Sequence, residues 1–92
     1  MKAKRIVLEV EVYEVAVGEF PDEKSGKVIK YQNLKENYNG GEATPSFKIA
    51  KPLAEKMENE LMYGDKVKIT LPLKMYKDKW TLGEIVAYEK IK

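Results

Sequence analysis

The sequence contains neither cysteine nor histidine. The first absence excludes disulfides and thiolate chemistry, and is compatible with a reducing cytoplasm. The second removes the side chain most used as a general base and as a metal ligand. No apolar run approaches the roughly 18–20 residues that a membrane-spanning helix needs. The opening Met-Lys-Ala-Lys-Arg looks like the start of a signal peptide, but Glu9, Glu11 and Glu14 interrupt the apolar stretch after it. A cytoplasmic location without a membrane partner is therefore expected. Internal repeats and low-complexity segments are also missing.

What is present suits one small domain. Ninety-two residues provide a single modest core, 43% of them are hydrophobic and 35% charged. The net charge of +2 predicts no partner, but its distribution is uneven. Residues 1–23 carry a net charge of −3, 24–51 of +4, 52–65 of −3 and 66–92 of +4. Two basic segments alternate with two acidic ones, so folding could gather positive charge on one side.

The strongest pattern runs from Asp65 to Tyr88. Val67, Ile69, Leu71, Leu73 and Met75 share one parity, while Lys66, Lys68, Thr70, Lys74 and Tyr76 share the other. Side chains alternate across a strand, so this period predicts an apolar inner face and a lysine-bearing outer one. Lys77-Asp78-Lys79 reads as a basic turn bracketed by Tyr76 and Trp80, with a returning strand after it. Ile85, Ala87 and Ile91 are expected to complete the core.

Earlier in the chain, residues 4–17 predict a long first strand. Ile6, Leu8, Val10 and Val12 share a face, after which the apolar parity moves to Val15 and Val17. Such a switch is what a bulge or bend produces, in a strand that can serve two sheets. Residues 18–27 read as a turn built on Pro21, Asp22, Ser25 and Gly26. A second strand is expected over Lys27–Leu34, a polar loop over 35–45, and a short strand over Ser46–Ala50 with Phe47 and Ile49 inward. Pro52–Tyr63 predicts the one helix, with Leu53, Met57 and Leu61 as its apolar stripe, Glu55 near its N-terminus and Gly64 as its stop. Its outer face is acidic (Glu55, Glu58, Glu60). The resulting order predicts a mainly β, five-stranded Greek-key barrel of the oligonucleotide-binding (OB) type, with one α-helix between strands 3 and 4. A different small five-stranded barrel with a helix insertion fits the same order.

Catalysis finds no constellation. Ser25 and Ser46 have no histidine or cysteine to act with. The acid pairs Glu9/Glu11 and Glu58/Glu60 fall on solvent faces among lysines, where carboxylates are ordinarily just solvated. Gly40-Gly41 lacks the Lys-Ser/Thr end of a phosphate-binding loop. The expectation is a protein that is not an enzyme and uses neither cofactor nor metal.

Binding is better supported, by lysines interleaved with aromatics. The first basic block offers Lys27, Lys30, Tyr31, Lys35, Tyr38 and Lys48. The second offers Lys66, Lys68, Lys74, Tyr76, Lys77, Lys79 and Trp80. Lysines neutralise phosphates without sequence preference, and exposed rings stack on any base for roughly 1–3 kcal/mol each. The plainer alternative is that outward lysines protect sheet edges and aid solubility, with the rings serving as core or rim.

The long first strand, Ser25-Gly26-Lys27 leading into a strand with Tyr31, the helix ending at a glycine and the final hairpin together make a pattern. It resembles the small phage OB-fold single-stranded-DNA-binding proteins of the filamentous-phage gene V type, over most of the chain. That resemblance implies DNA contacts at Lys24, Lys27 and Tyr31, and roles in DNA contact or two-fold dimerisation for Tyr76 and Trp80. The expectation is a non-sequence-specific single-stranded-DNA-binding homodimer of phage or mobile-element origin, working with replication or recombination proteins. A protein-interaction module and an RNA-binding protein are the alternatives.

Overall fold

The computed structural model describes residues 4–91. They form β1 (Lys4–Pro21), β2 (Val28–Glu36), β3 (Ser46–Lys48), α1 (Lys51–Glu60), β4 (Lys66–Tyr76), β5 (Lys79–Leu82) and β6 (Ala87–Ile91), with a 3-10 turn at Asn39–Gly41. The chain is mainly β, and its one α-helix among the described residues lies between β3 and β4, as the sequence predicts. All ladders are antiparallel, and the sheet runs β3-β2-β1-β4-β5, with β6 also paired to β4.

The 18 residues of β1 would extend about 60 Å if straight, yet the longest dimension of the molecule is 43 Å. The strand bends where its apolar parity changes. Lys4–Glu11 pair with β4, Val12–Pro21 pair with β2, and the register slips between Val12 and Glu14. The bend is pinned from outside the ladder. Val12 N–H donates to the Asp65 carbonyl and Gly64 N–H to the Val12 carbonyl, each at 2.8 Å. Asn37 N–H donates to the Glu11 carbonyl at 2.8 Å.

The returning strand expected after the basic turn is two pieces, so the described residues form six strands rather than five. Pro72 explains the break. Thr70 and Pro72 present their carbonyls to the segment between β5 and β6, accepting from Val86 N–H (3.0 Å) and Gly83 N–H (2.8 Å), but proline has no N–H to give back. The chain leaves β4 at Glu84 and Ile85 and sends Ile85 into the core. A Cβ on Gly83 would lie 2.7 Å from Pro72 Cγ, so this close pass requires glycine. Ile85 N–H then donates to the Lys48 carbonyl (2.8 Å) and Ala50 N–H to the Ile85 carbonyl (3.1 Å). This isolated parallel bridge between Ile49 and Ile85 is the contact between the two ends of the sheet. Among the described residues no continuous ladder closes the sheet.

The core is Val10, Val12, Leu34, Ile49, Ala54, Met57, Leu61, Val67, Ile69, Leu71 and Ile85. The expected stripe of α1 packs there, with Leu53 at its margin and Ala54 added. Several boundaries and faces differ from expectation. The helix ends at Glu60, because Leu61 turns extended to bury its side chain. The Asp65 carboxylate then takes the Met62 N–H at 2.9 Å, and Gly64 closes the turn at φ 89°. Glu55 lies beyond the first helical turn, whose residues include no acid. Residues 18–21, which read as turn, continue β1 because Phe20 packs beside Tyr31. Met75 is 54% exposed, since the β4–β5 hairpin projects past the core. Ala87 is exposed and Ile91 half-buried, while Tyr88 takes the inner position opposite Ile69.

Candidate nucleic-acid interface

The candidate residues fall into three groups, set by the two hairpins that β1 supports and by the gap between the ends of the sheet. The first hairpin joins β1 to β2 through a turn that its own side chains brace. The Asp22 carboxylate accepts from Lys24 N–H at 3.1 Å and from the Ser25 hydroxyl at 2.8 Å, while Ser25 Oγ accepts from Lys27 N–H at 3.3 Å. Gly26, at φ 71°, supplies the left-handed residue that the turn needs. Lys24 and Lys27 have no carboxylate within ion-pair distance among the described residues, whereas Lys30 lies in register with Glu19 and shares a cleft with Glu55 and Glu58 of α1. Tyr31 is 39% exposed and lies across its cross-strand partner Gly18, where a Cβ would come within 2.5 Å of the phenol oxygen. Phe20 stands 6.2 Å away, ring centre to ring centre. Phe20 and Gly18 join this group without a signal in the sequence, because the proline, serine and glycines around them read as turn.

The second hairpin joins β4 to β5 through Lys77 and Asp78, with Lys79 already in the strand. Both turn residues have positive φ, 47° and 64°, as a two-residue type I′ hairpin requires. Tyr76 is 65% and Trp80 47% exposed. Lys77 Nζ lies 5.5 Å from the centre of the Tyr76 ring, and Lys4 Nζ lies 4.5 Å from that of Trp80. Lys4 is outside both expected basic blocks; its signal is the register, which sets it opposite Leu73 at the root of the hairpin.

Between these arms, Lys48 from the first basic block and Lys74 from the second line one open cleft of about 400 Å³. Phe47, Leu71 and Leu82 form its apolar part, and Glu84 stands beside Lys48 at 3.9 Å.

The remaining residues do not join these groups. Lys66 and Lys68 lie in register with Glu11 and Glu9 on β1, and Lys68 has Glu89 of β6 on its other side. The Lys68–Glu9 separation is 4.0 Å. The expected positive face of β4 is thus a charge-alternating one, because the first strand contributes its own outward carboxylates. Lys35 pairs with Glu14 at 3.2 Å. Tyr38 is exposed in the turn that bridges to Ala43. The acid pairs are engaged in part, Glu9 by Lys68 and Glu60 by the Tyr88 hydroxyl, which donates to it at 2.6 Å.

Three titrating groups are shifted, all away from the lysine groups. Burial and the Glu60 carboxylate push the Tyr88 hydroxyl up to about 12. The Met62 N–H and, after an opposing push from desolvation, Lys90 at 3.3 Å hold the Asp65 carboxyl below its ordinary value. Desolvation raises Glu36.

No protein-family model matches the chain, and no curated protein matches it either. Among the described residues no helix is long and apolar enough to cross a membrane.

Proposed function

We propose that this protein coats single-stranded DNA without sequence specificity, as a non-catalytic cytoplasmic factor of phage or mobile-element replication or recombination. One observation carries the reading: two projecting hairpins each combine exposed rings with lysines that no carboxylate neutralises. Lys24 and Lys27 accompany Tyr31, while Lys77 and Lys79 accompany Tyr76 and Trp80. Lysines track the backbone while the rings stack on bases.

The curled sheet is read as a half-closed OB-type Greek-key barrel. Its β1–β2 and β4–β5 turns correspond to the two loops with which that fold holds oligonucleotides. The parallel approach of Ile49 and Ile85 supports that reading of the ends. A homodimer is the proposed unit: β5 has β4 on one edge and no ladder on the other, and Met75, Trp80 and Leu82 are exposed there.

The test is a salt titration with a fluorescent oligo-dT. Tight binding that weakens steeply as salt rises, together with quenching of Trp80 emission, is expected. No detectable shift at about 50 mM salt ends the proposal. Unchanged emission with binding intact removes Trp80 alone from the site. RNA as ligand is an outcome of competition between matched oligomers. A second reading, docking on a protein, is favoured by a separate feature. Tyr13 and Tyr63 form an exposed edge-to-face pair 5.9 Å apart next to exposed Met62, with Glu11 rather than free lysines beside Tyr13's neighbour Val12.

A further inference from the structure

The cleft between the ends of the sheet places a carboxylate, Glu84, beside two lysines and an apolar wall. It opens because the Ser46–Lys48 edge and the Leu82–Glu84 segment diverge from the Ile49–Ile85 bridge without a ladder to join them. Its volume of about 400 Å³ lies in the range of small-molecule sites, about 300–1,000 Å³. Its chemistry is divided. Phe47, Leu71 and Leu82 offer apolar surface, Lys48 and Lys74 offer two cations, and Glu84 offers one carboxylate. An occupant that satisfies all three must carry a flat apolar face, an anion and hydrogen-bond donors.

A nucleotide meets that description, but not every nucleotide meets it equally. Cytosine presents the N4 amino group, adenine the N6 amino group, and guanine N1–H with its N2 amino group. Each can donate to a carboxylate. Thymine has no amino group, and its single N3–H lies between two carbonyl oxygens that a carboxylate repels. Glu84 is also the ion-pair partner of Lys48 at 3.9 Å, with side chains 46% and 67% exposed respectively, so a phosphate can replace it on the lysine and leave it free for the base.

Resting on the single-stranded-DNA reading, we infer that this cleft holds one unstacked nucleotide and selects for a base bearing an amino group, with Glu84 as the selecting residue. Coverage of the strand is then tolerant of sequence at the hairpins and biased at one nucleotide per protomer. Phosphate contact at Lys48 and Lys74 positions that nucleotide, and the carboxylate reads its edge.

The experiment compares equal-length oligo-dC and oligo-dT on the wild-type protein and on Glu84→Gln, above neutral pH where cytosine is unprotonated. The readout is the ratio of the two affinities, which cancels phosphate contacts common to both. Glutamine keeps the size of the side chain and loses the charge, and the position is exposed enough for the fold to tolerate it. The ratio is expected to shift against cytosine by roughly five- to tenfold in the variant, while oligo-dT binding holds or tightens as Lys48 is released. If both oligomers bind and the ratio is the same in the two proteins, the inference is overturned and the coating function stands. If neither oligomer binds the wild-type protein, both are overturned.

Discussion

Tyr88 shows how one side chain can link the sheet to the helix. Its ring packs against the core from β6, and its hydroxyl reaches Glu60 at the last turn of α1. The neutral hydroxyl is the form that donates, so the folded state favours it, and the phenol titrates at about 12 instead of 10.0. Its contribution to stability is complete below pH 10 and is lost as pH rises from there through about 12. Tyr88→Phe is expected to cost about 1 kcal/mol at neutral pH, and that cost should fall across the alkaline window and then reverse, as the ionised phenol is repelled by the Glu60 carboxylate. Urea midpoints of both proteins over that range measure it; a difference that does not change with pH would contradict the assignment.

The individual elements show what residue patterns reveal and what they leave out. The bend of β1 is legible because burial forces a change of parity, and Val12 to Val15 display it. The inward faces of β4 and α1 are legible for the same reason, through Val67, Ile69, Leu71 and Met57. Partners across the sheet are not legible. Lys66 and Lys68 read as a positive face because nothing local says that Glu11 and Glu9 will lie beside them. Pro72 is in plain view, but its effect depends on which edge of β4 it faces. The β4–β5 hairpin also departs from local preference, since Lys77 and Asp78 occupy left-handed positions that favour Asn-Gly. Asp78→Gly should therefore stabilise the protein by about 0.5–1 kcal/mol, relief of the left-handed backbone being partly offset by a freer unfolded chain. Thermal or urea unfolding decides it, and a loss of stability would mean that Asp78 makes a favourable contact.

At the scale of the whole molecule, the succession of strands as far as β4 and the position of the helix follow from periodicity and turn residues, whereas the division of the returning segment into β5 and β6 depends on contacts between distant residues. Ile85 is the main such residue, being fully buried and flanked by backbone bonds to Lys48 and Ala50. Ile85→Ala should cost roughly 2–5 kcal/mol and speed hydrogen exchange at Ala50. Protection at Ala50 that survives the substitution would show that the sheet ends are held by something else. The candidate site is legible as a set of residue types but not as three separate places, since only folding sorts the lysines into those with and without a carboxylate neighbour.

The seam at Ile49 and Ile85 has one more implication. A curled, open sheet whose ends meet through one short backbone bridge behaves like a bracelet with a small clasp. Amide protection in this chain should accordingly fall off toward the clasp and rise toward the middle of β1 and β4, the arc opposite the opening.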